Sequence, residues 1–215
     1  MSVRLGLDAS QIVASCAISN DMGIIASASL EKPIENFPIL IRNVLSCAKL
    51  SMSDIDEIVV CIGPGSQTGI RTAVVFGNAL ALALDIPISG VLCTDAAAIL
   101  SESKGLYHVA ISAGRRRWFI EEYFYDNGIL KRLDAMKLVD DLPNQLYPVF
   151  CVDDVAGKNC SVGVLMVAEK QRHLISQSML NEIRPYEVVE LRRYSRKTLK
   201  LWWNQGVAFS YYLDM

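Results

Sequence analysis

"IGPGSQTGIRTAVVFGNALALAL", residues 62–84, sets three glycines, a proline, a serine and a threonine ahead of a nearly unbroken apolar run. A glycine turn that opens a helix is a common phosphate cradle, because the amides of the first helical turn point at the ligand. The same turn also serves plain packing, since glycine accepts backbone angles and close approaches that other residues do not. A Walker-type loop, G-x-x-x-x-G-K-[ST], needs a lysine for the terminal phosphates and a hydroxyl for magnesium. Here Gly69 is followed by Ile70 and Arg71, so this is not a P-loop. Two uses stay open: tight helix-on-strand packing, which short glycine motifs serve more often, and anion binding by Gly63, Gly65 and Ser66.

Upstream, "EIVVCIG" (57–63) is a β-branched apolar run of the kind buried on both faces of a sheet. Before it, Phe37, Leu40, Ile41, Val44, Leu45 and Ala48 recur at steps of three and four, with Pro38 suited to a first helical turn. "VRLGLDAS", "IVASCAISN" and "IIASASLE" alternate and are separated by turn residues, which predicts an antiparallel meander. Downstream, "IPISGVLC" is another short strand. The order β-β-β-α-β-α-β is one repeat of the α/β fold shared by sugar kinases, actin and Hsp70 ATPases, the ASKHA group of the ribonuclease-H-like class. In that fold Asp8 and Ser10 occupy the first phosphate loop, although an Asp ending a strand also serves as an ordinary Asx-turn residue.

A second lobe is expected from about residue 104, giving a division into 1–103 and 104–215. "LYHVAISAG" and "RWFIEEYFYDNGILKRLDAMKLV" hold three strand patterns, with Asp126-Asn127-Gly128 the strongest hairpin signal in the chain. "PVFCVDDVAG" is one more strand and "VGVLMVAEKQRHLI" a helix. Helical content is thin for a full second βββαβα copy, so this lobe is read as degenerate.

Composition limits the chemistry. With 215 residues, 52% of them hydrophobic and 20% charged, the chain folds around a substantial core. A formal net charge of −2 excludes a globally basic nucleic-acid clamp. The six cysteines, Cys16, Cys47, Cys61, Cys93, Cys151 and Cys160, include no CxxC pair, which points to a reducing, cytoplasmic compartment. The start, "MSVRLGLDAS", holds no signal-peptide apolar region, and the longest apolar stretch is too short for a bilayer, so no membrane role is expected. The two histidines, His108 and His173, have no Cys or carboxylate at ligand spacing, and no metal site or catalytic residue is assigned. Arg115, Arg116 and Arg117 beside Trp118, and Arg192 and Arg193 ahead of Trp202 and Trp203, mix cations with aromatics and are the candidates for an RNA contact, against plain surface positions.

"GPGSQTGIRTAVVFGNALALALDIPISGV" resembles the GPGSFTGLR-type signature of the bacterial tRNA threonylcarbamoyladenosine biosynthesis family TsaB, also called YeaZ, and "LGLDAS" resembles its first strand and loop. The likeness runs over residues 3–112 and is loose beyond. Gln67 stands where the family has phenylalanine, and Ser112-Ala113-Gly114-Arg115 where it has Asp-Ala-Arg. "RPYEVVELRRYS" only loosely follows the family's Pro-x-Tyr-Leu-Arg feature. The resemblance implies a non-catalytic subunit that binds and activates a TsaD-like paralogue, which transfers threonylcarbamoyl to the tRNA adenosine next to the anticodon. It implies a TsaE-like ATPase as a further partner, indirect contact with tRNA, no cofactor in the isolated chain, and ATP or ADP at the joint interface.

In that family the turn, its helix and the preceding amphipathic helix pack against the paralogue. The matching stripe here is Phe37, Ile41, Val44 and Leu45 with Arg71, Val75, Asn78 and Leu82, a face the isolated chain is expected to hide in a symmetric dimer. The alternative is a free-standing ATP-dependent kinase or hydrolase of the same superfamily. It requires a second phosphate loop and an acid in the second lobe, where Ser112 stands instead.

Overall fold

The structure of the chain, a computed structural model, describes residues 2–31, 36–101, 103–114, 117–127, 129–140, 142, 149–151 and 162–168. The alternating opening forms β1 (Arg4–Asp8), β2 (Val13–Asn20) and β3 (Gly23–Glu31), an antiparallel meander. α1 (Phe37–Ala48) carries Pro38 in its first turn, where a missing N–H costs nothing, and ends at Lys49 in the left-handed region. β4 (Glu57–Cys61) then lies parallel to β1, buried throughout as its composition predicts. Ser66 caps α2 (Gln67–Leu84), its Oγ accepting from the Gly69 amide, and Asp85 stops the helix at φ 57°. β5 (Ile88–Val91) lies parallel to β4 and leads into α3 (Cys93–Leu100).

The first sheet therefore runs β3-β2-β1-β4-β5, built from the β-β-β-α-β-α-β succession expected from the sequence. The second comprises β6 (Gly105–Gly114), β7 (Arg117–Asp126), β8 (Ile129–Arg132), β9 (Lys137–Val139) and β10 (Val149–Cys151). Its path is β10-β6-β7-β8, with β9 also on β7. Read as β8-β7-β6-β10, it repeats β3-β2-β1-β4: three antiparallel strands, then one parallel to the first of them. The hairpin at Asp126 closes by Asp126 pairing Ile129, with Asn127 left-handed at φ 48°. A helix, α4, covers 162–168, and the remainder of the helix expected there lies outside the described residues.

Period-two alternation gives the first sheet two unlike faces. Leu5, Leu7, Cys16, Ile18, Ile58, Val60 and Ile62 face α1 and α2, where Phe37 stacks on Phe76 at 5.6 Å. Ala17, Val59, Cys61 and Val91 face α3, α4 and the inner side of β6 and β7. α3 has no counterpart in the sequence reading, because all eight of its residues are buried and no polar stripe marks its period. β9, three residues long, is likewise an addition to the expected strands.

Candidate functional site

The glycine turn meets the loop that leaves β1. The Ser66 amide donates to the Ser10 carbonyl at 2.6 Å, and the Cys93 amide, at the start of α3, donates to the Gly63 carbonyl at 2.7 Å. Gly63 and Gly65 adopt φ 96° and 149°, which side chains rarely accept, and a Cβ on Gly65 would stand 2.2 Å from the Ser10 carbonyl oxygen. Gly69 is as tight: its Cβ would stand 1.8 Å from the Ala9 carbonyl oxygen. Two amides that an anion would use, those of Ser66 and Gly69, are thus committed to Ser10 O and Ser66 Oγ.

Asp8 is fully buried at the end of β1, its Oδ1 accepting from the Ser10 amide at 3.1 Å in an Asx turn. Burial pushes its carboxyl above the ordinary range, with the Cys61 thiol and Ser10 offsetting part of the rise. Ser10 Oγ lies 3.1 Å from Cys93 Sγ, so the loop is stitched to α3 as well as α2. The five residues proposed for anion binding, Asp8, Ser10, Gly63, Gly65 and Ser66, come together here as one packed joint. Among the described residues no group of three or more His, Cys, Asp or Glu is placed to hold a metal.

The second part of the site is the outer surface of α1 and α2. Of the residues proposed on α1, Phe37 and Val44 are 1% and 0% exposed and belong to the core packed on the sheet, while Ile41 and Leu45 are buried at the floor of the groove between α1 and α2. A helix laid on a sheet spends its apolar stripe on that sheet, and α1 has one such stripe. On α2 the inner face is Gly69, Ile70, Ala73, Val74, Gly77 and Ala81. The residues proposed there turn outward: Arg71 is exposed, Val75 is 60% and Leu82 71% exposed, and half-buried Asn78 donates to the Val74 carbonyl at 2.9 Å.

Between the helices runs an apolar groove of about 480 Å³, floored by Ile41, Leu45, Leu50, Met52, Phe76 and Leu80 and edged by Pro38, Arg42 and Ser46. Leu50, Met52, Phe76 and Leu80 were absent from the sequence reading, although Phe76 and Leu80 stand one turn apart on α2. Of the basic candidates, Arg117 is half-buried on β7 next to Trp118, whereas Arg115, Arg116, Arg192 and Arg193 lie outside the described residues. His108 is buried with Nε2 3.8 Å from Glu122. Cys16, Cys47, Cys61 and Cys93 are free thiols, and no described helix is long and apolar enough to cross a membrane.

Residues 10–142 match the family model for TsaD, tRNA N6-adenosine threonylcarbamoyltransferase. The tRNA threonylcarbamoyladenosine biosynthesis protein TsaB of Bacillus subtilis is 34% identical over 94 residues, 43% of this chain and 41% of that protein. The tRNA N6-adenosine threonylcarbamoyltransferase of Thermosipho melanesiensis is 33% identical over 69 residues, 32% of this chain and 21% of that protein. The chain therefore matches about two fifths or less of the length of these curated relatives. Among solved structures, YeaZ from Pseudomonas aeruginosa superposes with a TM-score of 0.67 over 81% of this chain and 94% of its own, at 18% identity, a likeness of fold.

Proposed function

Because the chain belongs to the TsaB (YeaZ) family of tRNA threonylcarbamoyladenosine biosynthesis proteins, we propose that it is the non-catalytic subunit of a threonylcarbamoyl-transferring assembly. It acts by binding and activating a TsaD-like paralogue, which modifies the tRNA adenosine next to the anticodon. The observation that carries this reading is the outward apolar stripe of α2, Val75 and Leu82, beside the α1–α2 groove. Exposed apolar surface of this kind marks a face that another protein covers. The TsaD family model matches this chain over residues 10–142, which include α1 and α2, so a TsaD-like partner would carry a comparable helix pair and the two sets would pack as a bundle. In isolation a second copy would take the partner's place.

The packed joint at Asp8 supports this reading over a free-standing kinase or hydrolase, whose first-strand carboxylate must face metal-bound phosphate. Here it lies under the Ser10 loop and the glycine turn. We place ATP or ADP, where one is held, at the interface with the partner, and a TsaE-like ATPase on the assembled pair. tRNA is then reached through the partner, and of the basic candidates for an RNA contact Arg117 is the one among the described residues. The deciding experiment is reconstitution: a TsaD-like subunit, its threonylcarbamoyl donor and tRNA, with and without this chain. Modification should rise sharply when the chain is added. Equal modification without it removes the proposed role.

A further inference from the structure

Where β7 and β8 meet α3, four side chains share one proton too few for the bonds their geometry draws. The Tyr123 hydroxyl lies 2.7 Å from Asp95 Oδ1 and 2.9 Å from Glu121 Oε2, both hydrogen-bond distances. A hydroxyl has one hydrogen to give, and two ionised carboxylates are acceptors only. Both contacts are bonds when one of the carboxyls carries a proton and donates it to the Tyr123 oxygen. Arg132 indicates which one: its Nη2 lies 2.8 and 2.7 Å from the two Asp95 oxygens, as befits an ionised partner, whereas its Nε stands 3.4 Å from Glu121 Oε1. Glu121 is 3% exposed, and burial, reinforced by the negative charge of Asp95, outweighs Thr94, Arg132 and Tyr123 in raising its carboxyl above the ordinary range.

We propose that Glu121, Tyr123, Asp95 and Arg132 form a single-proton latch between the second sheet and α3. In the closed state Glu121 donates to Tyr123, Tyr123 donates to Asp95, and Asp95 holds Arg132, leaving the cluster neutral. Loss of the Glu121 proton to solvent puts two carboxylates around one arginine in a largely buried site, with an oxygen–oxygen contact at 2.9 Å and no hydrogen between. The groups facing Glu121 are Thr94 and Asp95 from α3, Tyr123 from β7 and Arg132 from β8. Since α3 begins at Cys93, which holds the Gly63 carbonyl, the latch ties the second sheet to the joint that starts α2. The inference is independent of the partner reading.

The sign follows from linkage. A carboxyl whose folded pKa is raised contributes stability that is complete below its unfolded pKa and is lost as pH rises through the folded value, the folding constant falling up to tenfold per pH unit in between. Two measurements on the full chain test this. A carbon-13 titration of the Glu121 side chain should give a midpoint above the ordinary glutamate value of about 4.3, and a midpoint at or below it overturns the latch. Across thermal melts between pH 5 and 8 the wild-type melting point should fall relative to that of Glu121→Gln as pH rises, because the amide donates to Tyr123 at every pH whereas the carboxyl loses its proton. Parallel curves overturn it. If the variant does not fold, the wild-type titration still decides.

Discussion

Replacing Val75 with glutamate separates a partner-facing helix stripe from a core one. Val75 is 60% exposed in the free chain, and fully burying a valine contributes about 1.5–3 kcal/mol, so covering what remains contributes about 1–2 kcal/mol. Val75→Ala should thus weaken association roughly fivefold. Val75→Glu adds an unpaired carboxylate to a closed interface, which costs about 3–5 kcal/mol. Arg71, one turn earlier on α2, offsets at most about 0.5 kcal/mol as an i,i+4 pair. The sum, about 4–6 kcal/mol, weakens binding by at least about a thousandfold. In the free chain the same change is a surface substitution worth about 0.5 kcal/mol or less. The assay is calorimetric titration with a TsaD-like partner, paired with circular-dichroism melts of each variant. Phe37→Ala is the control: that ring is 1% exposed and stacked on Phe76, so its loss should cost the monomer about 3–5 kcal/mol and lower its melting point by many degrees. If Val75→Glu binds like wild type, or melts like Phe37→Ala, the α2 stripe is not the interface.

Gly69→Ala should destabilise the chain by about 1–3 kcal/mol, because overpacking against the Ala9 carbonyl, 1.8 Å from the new Cβ, exceeds the gain of about 1 kcal/mol that alanine brings to a helix; a higher melting point would show the joint to be loose. Asp8→Asn should raise the melting point near pH 7 and flatten its fall with rising pH, since the raised carboxyl contributes fully below its unfolded pKa and loses that contribution as pH rises through the folded value. An unchanged pH profile would mean the Asp8 carboxyl titrates normally.

The first sheet was legible because its strands and its two amphipathic helices each carry an uninterrupted period. β4 reads as a buried strand, α1 repeats its apolar positions at three and four, and the apolar run after the glycine turn reads as the helix that forms α2. α3 was not legible for the opposite reason: Cys93 to Leu100 is buried all round, so nothing polar reveals a helical repeat. The latch was out of reach as well. Glu121 and Tyr123 are neighbours on one face of β7, but Asp95 and Arg132 reach them from α3 and β8, and that meeting depends on how the two sheets stack.

The proposed partner face shows where periodicity stops being informative. A helical wheel ranks Phe37, Ile41, Val44 and Leu45 with Val75 and Leu82 as apolar stripes, yet the sheet takes the first group and leaves the second exposed. Side-chain size decides between them. α2 meets the sheet through the small residues Gly69, Ala73, Gly77 and Ala81 together with Ile70 and Val74, and a Cβ on Gly77 would stand 2.6 Å from Val60 Cγ2, so at that point the helix rides too close to β4 to admit a side chain. Beyond Ile70 and Val74, its larger side chains are turned away: Phe76 and Leu80 into the groove, Val75 and Leu82 to the surface. α1 has no comparable glycine and alanine stripe and meets the sheet with Phe37, Leu40, Ile41 and Val44. Two apolar helices on the same sheet thus divide the work: the one with the smaller inner face leaves Val75 and Leu82 exposed, which the proposed function assigns to a second protein, and the other keeps its large residues for the core.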